Sequence, residues 1–121
     1  MALNVQGDLR RRLEEKFTDV KVSVTVPFER PEKLITVMRL GGHRRDDLVD
    51  APVVGIYCYA LTEQEAWQLA NDVADFMAGL KFADGYIQVE NEAMYSDRDE
   101  NTNTPRWYLS YSLLTYVVKG K

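Results

Sequence analysis

Cysteine and histidine are nearly absent from this chain of 121 residues: Cys58 and His43 are the only ones. One cysteine can form neither an intrachain disulfide nor a Cys-based zinc site, which fits a reducing compartment. Set among strand apolars, Cys58 reads as a small buried hydrophobe rather than a nucleophile. One histidine with no second ligand-type residue at metal spacing argues against a metal centre, so His43 reads as a solvated loop residue. Apolar runs near the roughly 20 residues of a membrane span are missing. The opening MALNVQGDLRRRLEE has no apolar stretch followed by a small-residue cleavage site. The expectation is a soluble protein, with no membrane partner, that stays where it is made. Basic charge is not in excess either: 15 Lys and Arg stand against 19 Asp and Glu, a net charge of −4 that disfavours a broad nucleic-acid-binding face.

What is present is organised around the stretch Leu34 to Ala60. LITVMRL and VVGIYCYA are rich in Val, Ile and Tyr, and GGHRRDDLVDAP between them has turn chemistry. The pattern predicts two antiparallel strands joined by a long polar loop, Gly41 to Asp50. Ile35 and Val37 point one way, and Leu34, Thr36, Met38 and Leu40 the other; apolar residues on both faces predict cover on both sides. Gly41 and Gly42 lack the spacing of a dinucleotide or phosphate loop and read as a sharp departure from the strand. Asp46 and Asp47 are consecutive, so the fixed, separated geometry of an acid/base pair is not expected of them.

Around this hairpin the chain reads in order. Val5, Leu9, Leu13 and Phe17 recur every fourth residue and predict a first helix, with Arg10, Arg11 and Arg12 on its solvated face. Val20, Val22, Val24 and Val26 alternate with polar residues, a first strand ended by Pro27. Thr62 with Glu65 three residues on is a capping box opening a second helix, whose stripe of Ala66, Leu69, Ala70, Val73, Met77 and Leu80 is a core face. Tyr86 to Glu90 reads as a short strand. Asn91 to Pro105 reads as a long mobile loop; Asp97, Asp99 and Asn101 there imitate a calcium loop, but Thr102 and Tyr108 stand where it needs Gly and Glu. Arg106 to Val118 is a long strand with aromatics on both faces, which must pair inside the sheet or with another subunit. The expectation is one α+β domain over residues 1–121: a mainly antiparallel sheet, a long central hairpin, and two helices packed on it.

Several short motifs together resemble those of tailed-bacteriophage tail terminator (tail completion) proteins. They are Val26-Pro27, Arg30-Pro31, the strand Leu34 to Gly42, Asp50-Ala51-Pro52, the helix Thr62 to Ala70, and Pro105 to Tyr108. The resemblance implies a non-enzymatic homo-oligomer, commonly a hexameric ring, with no cofactor. Such a ring caps the finished tail tube, meets the head-side connector protein, and lets DNA pass through its lumen without specific binding. It would reside at the head-proximal end of the virion tail, and in the host cytoplasm during assembly. Related proteins use the long loop between the two central strands for subunit contacts, which here points to Gly41, Gly42, His43, Arg44, Arg45, Asp46 and Asp47. The alternatives are another small neck or tail-tube component, a ligand-binding domain or small enzyme, and a nucleic-acid module.

Overall fold

The computed structural model describes residues 4–27 and 31–117. Helix α1 spans Val5–Lys16, and Asn4 caps it, its Oδ1 accepting the Gly7 N–H at 3.1 Å. Val5, Leu9 and Leu13 are buried along one stripe. On the outer face Arg10 pairs with Glu14, and Arg11 with Glu15 and Asp8. The arginines expected on a solvated face are thus mostly spent on their own helix.

Strands β1 (Lys21–Ser23), β2 (Leu34–Arg44) and β3 (Val49–Tyr59) precede helix α2 (Glu63–Gly79); β4 (Tyr86–Ser96) and β5 (Arg106–Tyr116) follow it. The sheet order is β1-β2-β3-β5-β4, antiparallel except for the parallel β1–β2 pair. This is the expected α+β fold. The long aromatic strand β5 pairs on both sides, between β3 and β4, so its apolar faces meet no bare edge.

Both helices lie against one face of the sheet. Leu9 and Leu13 of α1, and Leu69, Ala70, Val73 and Met77 of α2, close over Ile35, Val37, Val54, Ile56, Cys58, Leu109 and Leu113. The alanines of α2 allow the close approach. Complete burial pushes the Cys58 thiol well above its ordinary pKa, as an inert core residue requires. Thr62 caps α2 as predicted: its Oγ1 accepts the Glu65 N–H at 3.1 Å and donates to Glu65 Oε1 at 3.0 Å.

Three boundaries differ from the sequence expectation. The first strand is only three residues long, because the Ser23 hydroxyl accepts the Thr25 N–H at 3.2 Å and draws the backbone out of the ladder before Val24 and Val26. The central strands run on through the segment expected as a loop: Gly41 pairs with Val53, Gly42 with Pro52, His43 with Ala51 and Arg44 with Asp50. A bulge at Leu40 absorbs one residue, which keeps both glycines in the ladder. The fourth strand likewise reaches Ser96, with the ladder slipping between Tyr86 and Gln88 and again between Asn91 and Ala93. At the second slip Asn91 Nδ2 donates to the carbonyls of Ala93 and Ser110, so a turn-forming residue serves a bulge.

Candidate subunit interface

The hairpin tip is therefore a tight turn over residues 45–48, held from within. The N–H groups of Arg45 and Asp46 donate to the Val49 carbonyl at 2.8 and 3.2 Å. Asp46 Oδ1 accepts from the N–H groups of Leu48 and Val49 at 2.7 and 2.8 Å, and these two bonds hold its carboxyl below the usual carboxylate range. Asp46 is thus the residue that shapes the turn. The Val117 N–H reaches the Leu48 carbonyl at 2.8 Å and ties the tip to the end of β5.

Around that turn Gly41, Gly42, His43, Arg44, Arg45 and Asp47 are all exposed. Gly42 has φ of +87°, and a Cβ there would overlap the Ala51 carbonyl oxygen. Only glycine fits this position. Gly41, by contrast, has open space where its side chain would be. The base of the arm is locked by Arg39: Nη1 and Nη2 grip Asp50 Oδ2 and Oδ1 at 2.7 and 3.0 Å, and Nε donates to the Gly41 carbonyl at 2.9 Å. The backbone N–H of Arg39 donates to Gln6 Oε1 at 2.8 Å, which occupies one donor on the outer edge of β2.

The face of the sheet away from the helices is the second surface. Across its middle a row of tyrosines crosses three strands. Tyr57 of β3 is in register with Tyr108 of β5, and Tyr108 with Tyr95 of β4; their ring centroids are 4.9 and 5.3 Å apart. The Arg106 guanidinium lies 4.5 Å from the Tyr57 ring centroid and 5.7 Å from that of Tyr59. The same side chain donates to the Asp97 carbonyl at 2.7 Å and to Asp97 Oδ2 at 3.1 Å, and comes within 4.0 Å of Asp99 Oδ2. Arginine thereby neutralises the two acidic side chains that imitate a calcium loop. Gly55 leaves room for Leu40 to fold across the sheet: a Cβ there would come 2.8 Å from Leu40 Cδ1. Met38, Leu40, Tyr95 and Tyr116 remain about half exposed on this face.

Among the described residues no group of three or more His, Cys, Asp or Glu is placed to hold a metal ion, and no helix is long and apolar enough to cross a membrane. A scan against protein-family models and a search of curated proteins found no match to the chain.

The tyrosine row and the Arg39–Asp50 pair were not singled out from the sequence. Tyrosines at alternate positions were visible in the strands, but which ones meet depends on register, and register depends on bulges that leave no sequence mark of their own.

Proposed function

We propose that this chain is a structural assembly subunit: one copy of a ring that caps the completed tail tube of a tailed phage and joins it to the head-side connector. The observation that carries the reading is the uncovered sheet face. A two-layer domain whose helices cover one side only leaves Met38, Leu40, Tyr95 and Tyr116 in water, a cost that a neighbouring subunit would remove. The resemblance of the short motifs to tail terminator proteins supplies the kind of assembly. The hairpin tip, with Arg44, Arg45 and Asp47 exposed, offers charges of both signs to a neighbour or to a stacked ring. A net charge of −4 suits a lumen that lets DNA slide, since carboxylates repel phosphates. Light scattering at tens of micromolar, on the protein alone and mixed with tail tubes, tests the reading. Self-association or tube binding is expected. A strict monomer in both samples would refute it.

A further inference from the structure

We draw no further inference here: the strongest candidate, the open recess that Trp67 and Trp107 line beside the start of α2, carries nothing, because Glu63 on its rim is already bonded to Trp107, Ser96 and Arg98 of its own chain and nothing in the structure shows what covers it.

Discussion

Arg39 and Asp50 face each other across the two arms of the central hairpin as a two-pronged ion pair, 2.7 and 3.0 Å between their nitrogens and oxygens. The Asp50 side chain is nearly buried, and the bonds from Arg39 hold its carboxyl below the usual range against the opposing effect of burial. Truncating Arg39 leaves that carboxylate with only the Ala51 N–H and the more distant Arg44 charge, at a cost of about 1–2 kcal/mol, below the middle of the range for charged hydrogen bonds because Arg39 is one-third exposed. A folded-state pKa below the unfolded value means that the pair's stability is fully present above about pH 4 and is lost as pH falls through the folded value. Urea denaturation of the wild type and Arg39→Gln should therefore differ at pH 7 and converge toward pH 2. A gap that persisted in acid would assign the effect to packing instead.

Gly42 and Gly41 make a paired test of the hairpin. Gly42→Ala forces a side chain into a left-handed backbone and against the Ala51 carbonyl, and should cost about 2 kcal/mol or more. Gly41→Ala meets open space and should change stability by less than about 0.5 kcal/mol. Thermal melts of the two variants decide it, and equal midpoints would mean that the segment leaves the ladder in solution.

Thr62→Ala removes the acceptor for the Glu65 N–H and should cost about 1 kcal/mol, while Thr62→Ser should recover most of that. An unchanged denaturation midpoint for the alanine variant would show that water satisfies that donor equally well.

Arg44 and Arg45 are exposed at the hairpin tip. Replacing both with Glu should leave circular dichroism unchanged and weaken assembly, most visibly at low salt, because exposed charges are screened within a Debye length of about 10 Å at 0.1 M. Assembly that is equally strong at every ionic strength would make the tip a bystander.

The elements that could be read from the chain are those with a uniform environment. The stripe of α2 and the alternation of Val54, Ile56 and Cys58 each face one core along their whole length, so a single period describes them. The ends of β2 and β4 could not be read in the same way. From Gly41 to Arg44 both faces of the strand are wet, and no alternation marks it as a strand. In β4 two bulges reset the alternation within eleven residues. The turn chemistry between the two strands was legible, but that Asp46 shapes the turn by accepting from the Leu48 and Val49 N–H groups depends on where the turn falls, which the strand ends decide. The open face escaped notice because it depends on where the helices settle: apolar residues on both sides of β2 looked equally in need of cover, and α1 and α2 chose the same side.

Negative-stain electron microscopy of the wild-type protein incubated with tail tubes is the most direct measurement of the central claim. The account predicts closed rings of this chain seated on one end of the tubes. Bare tube ends beside dispersed monomers, at concentrations of tens of micromolar, would contradict it.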